Sequence, residues 1–219
     1  MDAQPFQLPL FVDLAAVFLM AITGAIEAIR REFDIIGLFV LALATGVGGA
    51  LIRDGVFLQN GISPILLDDR YLMAVAAAAV AGLIFGTRAV LSTRLIAWVD
   101  ALALGAYAVV GVEKTLALGL GFVPAVVVGV VNACGGGVLR DIFIGERPMV
   151  FRPGQFYAFA ALVGCLIYVP LRTHTDLPPL AVAMGSIAVT FGLRVLAISL
   201  NWSTVPIGEK GILRKRPRR

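Results

Sequence analysis

Long apolar stretches alternate along the chain with short breaks. The stretches cover residues of about 10–29, 35–57, 71–91, 95–113, 120–142, 155–171 and 178–199. Most breaks are charged, polar or rich in Pro and Gly: Arg30-Arg31-Glu32, Gln59-Asn60-Gly61, Asp68-Asp69-Arg70, Arg147-Pro148, and His174 to Pro179. A buried strand runs for about 4–8 residues, and each stretch is far longer. A helix crosses a bilayer with about 20 apolar residues and satisfies its own backbone on the way. The pattern therefore predicts an all-α integral membrane protein with seven transmembrane helices. Residues 1–9 precede the first span, and residues 203–219 follow the last.

The spans carry an internal repeat. Residues 13–54 and 100–141 align without a gap at an offset of 87. Asp13 falls on Asp100, Gly24 on Gly111, Gly48-Gly49 on Gly135-Gly136, and Arg53-Asp54 on Arg140-Asp141. Ionisable residues and paired glycines in one register are a stronger signal than matching apolar runs. Each unit, 10–91 and 95–172, holds three spans. Three is odd, so the second unit inserts upside down relative to the first, which makes an inverted-topology repeat. The seventh helix, 178–202, lies outside the repeat.

Composition narrows the class further. The chain has 219 residues, of which 59% are hydrophobic and 15% charged, with a mean hydropathy of +0.94. Soluble domains run at about 45–50% apolar and about 25% charged, so a soluble fold is excluded and no length remains for a separate soluble enzyme. His174 is the single histidine, which leaves almost no material for histidine metal sites or Ser-His-Asp triads. No cofactor, metal centre or enzymatic activity is expected. Cys134 and Cys165 lie inside apolar runs, where a thiol is a small hydrophobe, and no disulfide is expected. The N-terminus lacks a basic region and carries Asp2, so a cleaved signal peptide is not expected.

The net charge of +4 comes from the tail, where Lys210, Arg214, Lys215, Arg216, Arg218 and Arg219 face only Glu209. It implies no nucleic-acid partner. The tail suits a topological retention signal or contact with anionic lipid heads. Lys and Arg in the loops set the orientation. With the tail in the cytoplasm, the cytoplasmic segments hold Arg30 and Arg31, Arg88 and Arg94, and Arg147 and Arg152. The expected location is the inner cell membrane, with the N-terminus external. Trp98 and Trp202 fall near the cytoplasmic boundary, as interfacial aromatics should.

The runs Gly48-Gly49-Ala50 and Gly135-Gly136-Gly137, each ending in Arg-Asp, admit two readings. One is close packing of helices. The other is a kink or break in the second and fifth spans that opens backbone to a water-filled path. The repeat favours the path. Neighbouring residues point about 100° apart on a helix, so Arg53 and Asp54, or Arg140 and Asp141, are not expected to face each other. Depth matching proposes Asp13 with Arg53 at the outer mouth and Asp100 with Arg140 at the inner one. Between these layers the second and fifth spans offer Thr45 and Asn132 as notable polar groups, also matched at the offset of 87. Lys114 aligns with Glu27 at a span end and reads as an interfacial snorkelling residue or as a pore-facing cation. Glu113 reads as interfacial, and Arg88 and Arg194 as positive-inside anchors. Gly82 and Gly86 form a GxxxG with no partner assigned.

Together, an Asp-x10-Gly first span and a GGxxxRD second span, in both halves, with a seventh helix, resemble the prokaryotic trimeric intracellular cation channel family. The same domain has been labelled a glycine transporter. The resemblance runs from about Leu10 to Trp202 and departs at Ala50, where the second copy keeps a third glycine. It implies a homotrimer passing monovalent cations such as potassium, with a path in each protomer lined by the second and fifth spans. A cation channel and a secondary transporter of a small zwitterion such as glycine both use inverted repeats. Scarce mid-span polar groups favour the channel, which must bind weakly enough to release.

Overall fold

The computed structural model describes residues 8–89, 93–152 and 156–202. Its elements are α1 (Leu10–Arg30), α2 (Ile35–Ile52) continued by a π-helical turn (Arg53–Leu58), the short α3 (Pro64–Leu67), α4 (Asp69–Ala89), α5 (Thr93–Ala117), α6 (Phe122–Phe143), a 3-10 turn (Met149–Phe151), α7 (Tyr157–His174) and α8 (Pro179–Ser199). Among the described residues seven helices are long and apolar enough to cross a membrane. They coincide with the seven expected spans. The largest difference is at the end of α5, which runs to Ala117 rather than stopping near residue 113.

Local chemistry explains several ends. Asp34 starts α2 by accepting a hydrogen bond from the Gly37 N–H at 2.7 Å, which satisfies an orphan first-turn donor. Pro64 and Pro179 sit at the first positions of α3 and α8, where no N–H is needed. Gln59 takes a left-handed conformation (φ 46°) and closes the π-helical turn, its N–H reaching the Asp54 carbonyl.

Alternating helix direction gives the bundle two ends. Helix α1 begins on the N-side, and α8 ends on the C-side. Helix α1 packs on α2 and α4, α5 packs on α6 and α8, and α2 meets α6 across the middle. Small residues allow these approaches. Ala16, Ala21, Ala25 and Ala28 of α1 are fully buried. Gly82 and Gly86 lie against Ala25 and Ile29, so the GxxxG of α4 finds its partner in α1. Bulky apolar side chains such as Phe11, Ile35, Ile36, Phe39, Ile84 and Phe85 point outward, as a lipid-facing surface requires. Trp98 and Trp202 are exposed on the C-side.

The expected break at the glycines is absent. Helix α2 stays α-helical through Gly48, Gly49 and Ala50, and α6 through Gly135, Gly136 and Gly137. The irregular turn in the second span comes afterwards, at Arg53–Leu58. The reason is contact. Each glycine run is pressed against the other helix, and packing holds the α conformation that glycine alone disfavours.

Candidate functional site

The site begins where α2 crosses α6. A Cβ placed on Gly135 would lie 2.8 Å from the Gly49 Cα, and one on Gly49 would collide with the Asn132 carbonyl oxygen. A Cβ on Gly136 would meet the Thr45 carbonyl, and one on Gly48 the Leu139 side chain. Backbone touches backbone here, and no residue larger than glycine fits at Gly49 or Gly136. Ala50 is buried without disturbing the helix. Thr45 and Asn132, both fully buried, flank the crossing. The Thr45 hydroxyl donates to its own helix at Leu41 O (2.6 Å). The Asn132 amide donates to Tyr107 O (2.6 Å). The Tyr107 hydroxyl in turn donates to the Gly46 carbonyl.

On the N-side a buried charge cluster sits above this layer. Arg53, with no exposed surface, grips Asp54 through Nε–Oδ1 at 2.6 Å and a second nitrogen to Oδ2 at 2.8 Å. It also donates to Asn132 Oδ1 at 3.2 Å. Ser63 donates to Asp54 at 2.5 Å. Asp13 takes two other donors on Oδ2: the Tyr71 hydroxyl at 2.7 Å and the Lys114 ammonium at 2.7 Å. The expected Asp13–Arg53 pair is therefore replaced by Asp13–Lys114. The extra turn of α5 is the cause. Lys114 falls in the last turn of α5 rather than beyond the helix, and its largely buried ammonium turns to a buried carboxylate instead of to an interface. Glu113 is likewise buried rather than interfacial, accepting from Tyr168 (2.9 Å) and paired with Arg172 (3.3 Å).

The C-side cluster is built alike but paired differently. Arg140 donates to Asp100 Oδ1 at 3.1 Å and to the Thr23 hydroxyl at 3.2 Å, and it contacts Asp141 at 3.1 Å. The Asp100–Arg140 pair thus forms as expected from depth. Asp141 also accepts the Met149 N–H at 2.8 Å. Both Arg residues do reach their sequence neighbours, contrary to the helical-wheel expectation. A long guanidinium stem curls back across the angle that the backbone sets. Arg194 is buried rather than interfacial, its guanidinium 4.9 Å above the Tyr157 ring. The Arg88 side chain and the basic tail lie outside the described residues.

Each cluster floors a cavity. The N-side cavity holds about 460 Å³, with Leu10, Leu58, Ile62 and Leu67 in its walls and Asp13, Asp54, Tyr71 and Lys114 at its base. The C-side cavity holds about 390 Å³ and reaches Thr23, Glu27, Asp100, Arg140 and Arg194. They share no lining residue. The Thr45–Asn132 layer and the glycine crossing lie between them.

At the C-side rim Arg31 binds Glu146 at 2.6 Å and Glu27 at 3.2 Å, while Arg152 reaches Glu146 at 2.9 Å. The Arg31 guanidinium holds the Glu146 carboxyl below the usual carboxylate range. On the N-side rim Arg70 does the same to Asp68. Sequence reasoning missed Tyr71, Tyr157, Ser63 and Thr23. The two tyrosines do leave a signal, since each stands in the first turns of the third span of its unit.

A domain family described as glycine transporter matches the chain twice, over residues 10–87 and 97–173. A UPF0126 membrane protein of Deinococcus radiodurans is 34% identical over 183 residues, covering 83% of this chain and 84% of that protein. The UPF0126 inner membrane protein YadS of Escherichia coli is 28% identical, covering 92% and 98%. Among solved structures, the trimeric intracellular cation channel orthologue from Rhodobacter sphaeroides superposes with a TM-score of 0.78 at 31% identity, covering 87% of this chain and 97% of that one. A further solved TRIC cation channel gives a TM-score of 0.77 at 28% identity, covering 95% and 98%.

Proposed function

This chain belongs to the trimeric intracellular cation channel family, whose domain also carries the glycine-transporter description, and from that premise we propose that it is a cation channel. It is a multi-pass membrane protein. The path runs from the N-side cavity to the C-side cavity through the α2–α6 crossing. One observation carries this reading: two cavities at opposite ends, each floored by a charge cluster, with the glycine crossing and the Thr45–Asn132 layer between. Asp13, Arg53, Asp54 and Lys114 guard one mouth, and Asp100, Arg140 and Asp141 the other. Conduction requires α2 and α6 to part at Gly48, Gly49, Gly135, Gly136 and Gly137. Glycine backbones can separate without withdrawing a side chain.

The permeant ions are monovalent, potassium above all. The assembly is a homotrimer with one path per protomer, in two inverted three-helix units plus α8. The N-side faces outward and the C-side the cytoplasm, which the arginines at the C-side rim support. What supports a channel over a glycine carrier is that both mid-span polar side chains are already engaged. Thr45 is bonded to Leu41, and Asn132 to Tyr107 and Arg53. A tight amino-acid site needs convergent polar groups. The test is purified protein in liposomes. Potassium flux down its gradient without glycine is expected; glycine counterflow with no potassium conductance overturns the reading.

A further inference from the structure

We propose that Arg194 of α8 governs cation entry at the C-side mouth: its guanidinium is the second positive charge of that mouth and brings the two acids there to neutrality. This rests on the channel reading and deepens it, by assigning a specificity-determining residue to one direction of flow.

The matched halves supply each mouth with the same set of groups. Asp13, Arg53 and Asp54 on the N-side fall on Asp100, Arg140 and Asp141 on the C-side. Tyr71, in the first turn of α4, has its like in Tyr157 at the start of α7. Each set holds two acids and one arginine, so each is one cation short. On the N-side Lys114 of α5 makes up the difference, 2.7 Å from Asp13 and 5.9 Å over the Tyr71 ring. The residue in register with Lys114 is Glu27, an acid already held by Arg30 and Arg31. The second cation of the C-side therefore has to come from elsewhere. It comes from α8, which lies beyond both segments that the domain family matches.

The Arg194 guanidinium lies 4.9 Å over the Tyr157 ring, as the Lys114 ammonium stands over Tyr71. One of its nitrogens is 3.6 Å from Met149 Sδ. Arg194 lines the C-side cavity together with Asp100, Arg140 and Asp141. Asp100 and Arg194 both lie within electrostatic reach of the Cys134 thiol and of the Tyr157 hydroxyl. Arg194 is 1% exposed, so salt screens its charge far less than it screens the rim. The rim arginines Arg30, Arg31 and Arg152 are each about one-third exposed and share Glu27 and Glu146, and Arg94 is exposed. A buried charge on the wall of a charged cavity sets the local concentration of ions there. With Arg194 in place the base of the C-side cavity is balanced, two acids against two guanidinium groups; without it the acids are in excess and cations are drawn in.

The test is single-channel potassium current in planar bilayers, in both directions at equal and opposite voltages, with a C-terminal tag marking the C-side. The readout is the ratio of current entering from the C-side to current entering from the N-side, which the amount of folded protein does not move. Arg194→Gln should raise that ratio at least about twofold, and Arg194→Lys should keep the parent value. Where Arg194→Gln alone does not fold, the charge is read in an Asp100→Asn background. Asp100→Asn leaves that mouth with an excess cation and should lower the ratio at least about twofold. Adding Arg194→Gln rebalances the mouth and should return the ratio to the parent value. A ratio unchanged by Arg194→Gln, or changed equally by Arg194→Lys, overturns the proposal. So does an Asp100→Asn ratio that adding Arg194→Gln does not restore. A parent without potassium current overturns the channel reading and this proposal with it; a conducting parent whose ratio is blind to Arg194 overturns this proposal alone.

Discussion

Asp13 and Lys114 show what a buried charge demands of its surroundings. Their contact is 2.7 Å with 15% of the lysine side chain and 2% of the aspartate exposed. Removing one partner of such a pair costs roughly 3–5 kcal/mol, because the other stays charged and desolvated. Lys114→Met should therefore lower thermal stability in detergent by an amount of that order. Asp13→Asn combined with Lys114→Met should lose clearly less than the two single changes together. Additive losses in that cycle would mean the pair is incidental. The partner of Asp100 was legible in the sequence, because depth along two adjacent helices sufficed to find it. The partner of Asp13 was not. It depended on how far α5 continues and on which helix lies across the groove, and neither is encoded in a two-helix register. Arg194 was misread for a related reason, since a position near a span end says nothing about which neighbouring helix covers it.

The elements explain themselves through their contacts more than through their propensities. The seven spans were visible from apolar length alone, since a bilayer sets that length. The glycine runs were visible too, but their meaning turned on what faces them. A break would expose backbone groups; the observed crossing buries them against another helix, and helix α6 remains regular. Gly136→Ala places a methyl on the Thr45 carbonyl and must push α2 from α6. Overpacking of this kind costs about 1–3 kcal/mol, occasionally more. The variant should melt earlier than the parent, while Gly145→Leu at the left-handed position after α6 (φ 73°) should fail for backbone reasons instead. A Gly136→Ala protein with unchanged melting would contradict the close crossing.

The rim that joins the α1–α2 turn to the segment after α6 is electrostatic, so it responds to acid. Arg31 lowers the Glu146 pKa, so this contact stabilises the fold above the ordinary carboxylate pKa and is lost as pH falls through the lowered value. Acidification from neutrality to below that value should loosen the rim in the parent and have less effect in Glu146→Gln. Hydrogen exchange at residues 144–152 reads the difference, and equal acid sensitivity in both proteins would remove the assignment.

At the scale of the whole molecule, two cavities that share no lining residue lie at opposite ends, and the proposed path joins them, shut at its middle and charged at both mouths. Orientation follows from the same picture. With the N-side outward, a cysteine at Asp69 is reached by an external membrane-impermeant reagent and one at Arg214 is not. The opposite labelling pattern inverts the path. The central claim is that Arg140 neutralises the acids of one mouth and so restrains cation entry. Removing the guanidinium frees Asp100 and Asp141, raises the negative potential over the C-side cavity and draws cations in. The direct measurement is single-channel potassium current through Arg140→Ala beside the parent, normalised to folded protein. The account predicts a larger current in a less stable protein, with yield partly restored by adding Asp100→Asn. A smaller current with unchanged stability would contradict it, because Arg140 would then neither pair nor guard.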